Sequence, residues 1–180
     1  LRCYLEEAGY PVVTLQEPTE GPWGQRIKEL SRADDPSVPA EEELELFMRD
    51  REEDVRANIR PALERKCVVL MDRYYFSSMA YQGARGLSPE EIRERNEAFA
   101  PRPDLVIVLQ LPPEAALRRI LSKRPARTYF EREGYLELVD AIFSRLEGPK
   151  MHHLDATKNP EEIHLRVREL TKQLLLAAEP

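Results

Sequence analysis

The sequence predicts an α/β protein, a parallel sheet with helices packed on both faces. Two observations carry this. Apolar runs of strand length alternate with amphipathic stretches of helix length along the chain. Two of those runs, Lys66–Met71 (KCVVLM) and Asp104–Leu111 (DLVIVLQL), are nearly continuous rather than alternating, as in strands covered on both sides. Strands alternating with helices imply right-handed crossovers, and ligands in such sheets bind beyond the carboxyl ends of the strands.

The elements follow in order. Leu1–Ala8 reads as the end of an amphipathic helix, stopped at Gly9. Pro11–Leu15 (PVVTL) is the first strand. Glu41–Arg65 carries Leu44, Phe47, Met48, Val55, Ile59 and Leu63 as one helical stripe. Lys66–Met71 is the next strand. Ser88–Ala98 opens with Ser-Pro-Glu-Glu, an N-cap, a first-turn proline and acidic residues suited to the helix dipole. Asp104–Leu111 is the clearest buried strand. Pro113–Lys123 and Gly134–Leu146 read as helices, with polar Arg124–Arg132 between them. Met151–Leu154 is a weak last strand and Asn159–Ala178 a last helix.

The 180 residues, 42% hydrophobic, are enough for one domain with a core, and no repeat or low-complexity segment interrupts them. No window approaches the apolar length of a membrane span, and no secretory leader is visible. Cys3 and Cys67 are far apart, which favours reduced thiols and a cytoplasmic setting. A formal net charge of -6 argues against broad nucleic-acid binding, though a small anionic substrate needs only local cations. His152, His153 and His164 show no metal-ligand spacing. Trp23, between Pro22 and Gly24, reads as a loop packing residue.

The sheet-end rule directs attention to residues 16–28, 72–86 and 110–132. The strongest pattern is Asp72-Arg73-Tyr74-Tyr75-Phe76-Ser77-Ser78-Met79-Ala80-Tyr81-Gln82-Gly83. An arginine at a strand end offers a planar fork to phosphate oxygens, and an aspartate there can hold a magnesium ion. Ser78 and Gln82 are four apart and share one face of a following helix. A strand-capping Asp–Arg pair is the plainer account of the same residues. Phe47 and Arg51 likewise read first as a core side chain and as part of a solvated charge run, RDREED.

Asp-Arg-Tyr, Ser-Ser and Ala-Tyr-Gln-Gly together resemble the signature of thymidylate kinases. Glu17-Pro18-Thr19-Glu20-Gly21 is similar to that family's Glu-Pro-Gly-Gly segment, and Phe47 with Arg51 four residues on matches its phenylalanine and arginine. The resemblance implies a P-loop kinase fold, three α/β/α layers over residues 1–180, with a short lid at about 122–133. It implies transfer of the γ-phosphate of ATP to dTMP with magnesium, in a homodimer. By position, Phe47 would stack on thymine, Arg51 and Gln82 would hydrogen-bond the base, and Ser78 would line the pocket. Tyr81 would lie beneath the deoxyribose. Arg73 would hold the dTMP phosphate, Asp72 would serve magnesium, and Glu17 would border the sugar and acceptor phosphate. In the basic segment Arg118–Arg132, Arg127 corresponds to the lid arginine and Arg119 to the one beside adenine.

The sequence departs from the family in three places. No G-x-x-x-x-G-K-[ST] occurs in the 180 residues, so the pattern reads as lacking its first strand and phosphate loop, roughly twenty-five residues. The absent strand belongs between Lys66–Met71 and Asp104–Leu111, which are therefore not expected to pair with each other. Thr19-Glu20 replaces two glycines, and Lys28 stands where an arginine would grip phosphate, keeping the charge without the fork. A kinase of another deoxynucleoside or nucleotide, and a non-catalytic nucleotide-binding relative, remain the alternatives.

Overall fold

In the computed structural model, which describes residues 1–33, 38–123 and 133–178, four parallel strands form two ladders. Helix α1 (Arg2–Glu7) ends at Gly9, whose φ of 88° a side chain would resist, and leads into β1 (Val12–Gln16). Strand β1 pairs in parallel with β2 (Val68–Asp72) in a register that sets Gln16 opposite Asp72. Their carboxyl ends are thus level, and the Glu17 N–H extends the ladder by donating to the Asp72 carbonyl at 3.1 Å. Strand β3 (Val106–Gln110) pairs in parallel with β4 (Met151–Asp155), ending level at Gln110 and Asp155. As expected, no ladder joins β2 to β3 among the described residues.

Helix α2 (Pro22–Ala33) has no counterpart in the sequence reading. Its start is Pro22, whose fixed φ suits a first helical turn. Trp23 therefore lies on a helix rather than in a loop, with the Arg49 guanidinium carbon 5.0 Å from its ring centroid.

The long helix predicted over Glu41–Arg65 is present but not uniform. It runs as α3 (Ala40–Asp54), a wide π turn (Val55–Ile59) and α4 (Arg60–Glu64), with the Arg60 N–H donating five residues back to Val55. Pro61 supplies the physical reason. It has no N–H for the Ala57 carbonyl, and its ring crowds that carbonyl in a regular helix. Widening the preceding turn relieves the clash.

The remaining helices are α5 (Tyr75–Tyr81), α6 (Pro89–Glu97), α7 (Pro113–Lys123), α8 (Glu133–Arg145) and α9 (Pro160–Ala178). The Ser88 cap forms as predicted, its hydroxyl accepting from the Glu91 N–H at 3.2 Å. The core joins these pieces. Leu44, Val55, Ile59, Tyr75, Met79 and Ile92 pack as one cluster, with Met71 of β2 and Met151 of β4 against it. Among the described residues no helix is long and apolar enough to cross a membrane.

Candidate active site

Because β1 and β2 end level, the residues that follow them, Glu17 and Arg73, emerge side by side at one end of the sheet. Helices α3, α5 and α6 bring the rest. The centre is Arg51, fully buried on α3. Its Nε and Nη2 donate to Glu17 Oε2 at 3.0 and 2.5 Å, and Nη2 also reaches Ser78 Oγ at 3.3 Å. Nη1 donates to Asn96 Oδ1 of α6 at 2.6 Å. Four of the guanidinium's five N–H groups are thereby used, which leaves one on Nη1.

The charge run RDREED is therefore only half a solvated face: Arg49, Glu52 and Glu53 are exposed, while Asp50, Arg51 and Asp54 are buried. Glu17 is only 2% exposed. Burial pushes its carboxyl up to about 7, against the opposing pull of Arg51. Burial also raises the neighbouring Tyr74 hydroxyl, with the Glu17 charge adding to the effect.

Asp50, the residue before Arg51, holds the same loop at a second point. Its Oδ2 accepts from the Thr19 N–H at 2.8 Å and its Oδ1 from the Thr19 hydroxyl at 2.5 Å. Thr19 thus gives the loop an anchor that glycine could not. The chain also passes close to α2, where a Cβ on Gly24 would stand 2.1 Å from the Thr19 carbonyl oxygen. Backbone would have to move, so Gly24→Ala is expected to lower unfolding free energy by about 1–3 kcal/mol, which urea denaturation checks.

Glu20, the other departure, turns outward and accepts from Lys28 Nζ at 2.5 Å. Lys28 holds the Glu20 carboxyl below its usual range. An exposed pair of this kind is largely screened by solvent, so it would give way to another anion at little cost.

Phe47 lies one turn before Arg51, half-buried. Among the described residues it stands outside the core cluster that takes in its neighbour Met48. Gln82, one turn after Ser78 at the end of α5, is fully buried, and its Nε2 donates to Glu43 Oε1 at 2.9 Å. Tyr81 is half-buried, with its carbonyl accepting from the Tyr135 hydroxyl at 2.6 Å. Arg73 is exposed, with its guanidinium carbon 5.5 Å from the Tyr81 ring centroid. Its φ of 70° is left-handed, a strained conformation for a residue with a side chain.

Asp72 is exposed at the end of β2. Among the described residues no group of three or more His, Cys, Asp or Glu could cage a metal. A lone accessible carboxylate nonetheless suits magnesium, which keeps most of its waters and binds through one or two carboxylates plus substrate phosphates.

Arg51 thus contacts both Glu17 and Ser78, Gln82 follows Ser78 by one turn of α5, and Arg73 stands against Tyr81. Arg119 is brought elsewhere: its Nη2 donates to the Ala156 carbonyl at 3.0 Å, just beyond β4. Arg127, and nearly all of the lid predicted at 122–133, lie outside the described residues. Asn96, Asp50 and Glu43 were not singled out from sequence. Only Asp50 carried a signal, as the immediate neighbour of Arg51.

Residues 1–167 match the family model described as thymidylate kinase. A thymidylate kinase of Akkermansia muciniphila is 47% identical over 169 residues, covering 94% of this chain and 81% of that protein. One of Desulfotalea psychrophila is 44% identical over 179 residues, covering 99% and 88%. A probable thymidylate kinase of Archaeoglobus fulgidus is 44% identical over 171 residues, covering 95% and 85%.

Proposed function

Since the chain belongs to the thymidylate kinase family, we propose that it catalyses in-line transfer of the γ-phosphate of ATP to the 5′-phosphate of dTMP. The observation that carries this reading is Arg51. A buried guanidinium, immobilised by Glu17, Ser78 and Asn96, keeps one N–H for a ligand beside the strand end where Arg73 emerges. Such a group suits a carbonyl of a pyrimidine base, and Phe47 one turn earlier is placed to stack on the ring.

The acceptor would then extend past Tyr81, beneath its deoxyribose, towards the guanidinium of Arg73 and the ammonium of Lys28. Those two cations hold the phosphate and screen charge that grows on it during transfer. Glu17 acts mainly through Arg51, since both of its oxygens face that guanidinium. Asp72 would hold magnesium, which when bound neutralises charge on the ATP phosphates. Arg119 and Arg127 are proposed to serve the ATP side. Positioning and charge neutralisation carry catalysis, with no covalent intermediate. A homodimer in the cytoplasm belongs to the same proposal, supported by the family resemblance and its nucleotide substrates.

The purified full-length protein should phosphorylate dTMP with a kcat/KM at least about tenfold above dUMP and far above dGMP or thymidine. Comparable turnover of dGMP or thymidine would replace this reading with that of a different deoxynucleoside or nucleotide kinase. Tight dTMP binding without phosphoryl transfer would favour a binding module.

A further inference from the structure

We propose that Glu43 and Arg85 set base specificity by fixing which way round the Gln82 amide is held. The site then selects a pyrimidine with an N–H at ring position 3 over one with a bare nitrogen there. This rests on Gln82 being a base-contacting residue.

The orientation follows from chemistry. An ionised carboxylate can only accept hydrogen bonds, so the amide group facing Glu43 must be the NH2. Glu43 is itself buried, and its second oxygen accepts from Arg85 Nη1. Arg85 is anchored in turn, its Nη2 donating to the Val38 carbonyl at 2.5 Å. The chain Val38–Arg85–Glu43–Gln82 therefore leaves the Gln82 carbonyl as the amide group turned away from Glu43.

That oxygen, Oε1, is buried and has no hydrogen-bond partner. Buried polar atoms are nearly always satisfied, so an orphan held in place by a charged network calls for a partner that arrives with a ligand. The partner must be a donor. Gln82 follows Ser78 by one helical turn, and Ser78 Oγ accepts from Arg51 Nη2, so Ser78 links the helix face that carries Gln82 to the Arg51 guanidinium. Thymine and uracil offer an N–H at position 3, the donor that the Gln82 oxygen lacks. Cytosine presents a lone pair at position 3 and would meet the Gln82 oxygen lone pair to lone pair. Rejection by an unpaired polar contact is the stronger form of base discrimination.

The test is calorimetric titration of the protein with dTMP and dCMP, comparing wild type, Glu43→Gln, Gln82→Ala and the double variant. Glutamine at 43 is nearly isosteric and can present either N–H or C=O, so the Gln82 amide loses its preferred orientation. The dCMP-to-dTMP ratio of Kd values should fall by about tenfold in Glu43→Gln, and Glu43→Gln should change it little once Gln82 is alanine. A purely structural Glu43 would weaken both ligands equally in either background, and that result overturns the proposal. Should Glu43→Gln fail to fold, Arg85→Met serves instead, with a smaller fall in the ratio expected and an unchanged ratio overturning the idea. If Gln82→Ala alone leaves both affinities at wild-type values, the base contact itself is wrong, a failure distinct from one of orientation alone.

Discussion

Replacing Arg51 by methionine is expected to cost about 3–5 kcal/mol of unfolding free energy at about pH 8, and to remove most of the affinity for dTMP. The change leaves the buried Glu17 carboxylate without its counter-ion and strips donors from Asn96 Oδ1 and Ser78 Oγ. The loss should depend on pH, with a sign that can be worked out. Glu17 titrates at about 7 in the folded protein against 4.5 when unperturbed. Between those values the native state holds the proton more tightly than the unfolded state, so this group's stabilisation falls as pH rises through that window. Removing Arg51 takes away the main influence drawing the folded value down, so it climbs further. The deficit of the variant should therefore be smaller near pH 5, where Glu17 is neutral in both proteins and only the lost hydrogen bonds to Asn96 and Ser78 count, and grow towards pH 8. Urea denaturation at the two pH values measures it. An equal deficit at both would mean that Arg51 and Glu17 are not coupled by charge. Asn96→Ala, which removes no charge but leaves a buried Arg51 N–H without its acceptor, should cost about 1–3 kcal/mol at both pH values.

Arg73→Gly is the second large effect, and it should separate stability from activity. Arginine at φ 70° stores backbone strain of about 1–3 kcal/mol, which glycine does not. Part of that gain is offset by the greater freedom of glycine in the unfolded chain. The variant should thus unfold at the same free energy as wild type or up to about 1 kcal/mol above it. Its kcat/KM for dTMP should nevertheless fall by about a thousandfold, because the cation proposed to hold the acceptor phosphate is gone. Arg73→Ala should lose as much activity while remaining strained, and so unfold more easily than the glycine variant. Thermal melts and steady-state kinetics on the pair test this. If glycine proves the less stable of the two, strain at Arg73 has been misjudged.

The architecture was legible because it rests on local pattern. The strands fall within two residues of their apolar runs, and the Ser88 cap forms where its chemistry predicts. The rule that ligands bind beyond strand ends marked residues 16–28 and 72–86, the ranges that hold Glu17 and Arg73, while their roles came from the resemblance. Other features depend on partners distant in the chain. Asp50 and Arg51 look like surface charges in a local window, and only Thr19, Glu17 and Asn96, 31 to 45 residues away, make them buried. Asn96 sits on a polar helix with nothing local to mark it. The orientation of Gln82 is set by Glu43 across 39 residues and was invisible for the same reason. The wide turn did have a local cause in Pro61, masked by the strength of the apolar stripe around it.

That turn has a further consequence. Successive residues lie about 100° apart around a helix, so Asp50 and Arg51, by gripping Thr19 and Glu17 together, fix the roll of α3 as well as its height. A change in residue number within 55–59 would twist one half of the long helix against the other, and the twist would arrive at the loop that holds Glu17 and Thr19. Loop and helix are thus one lever, and insertions or deletions there act on substrate grip from a distance.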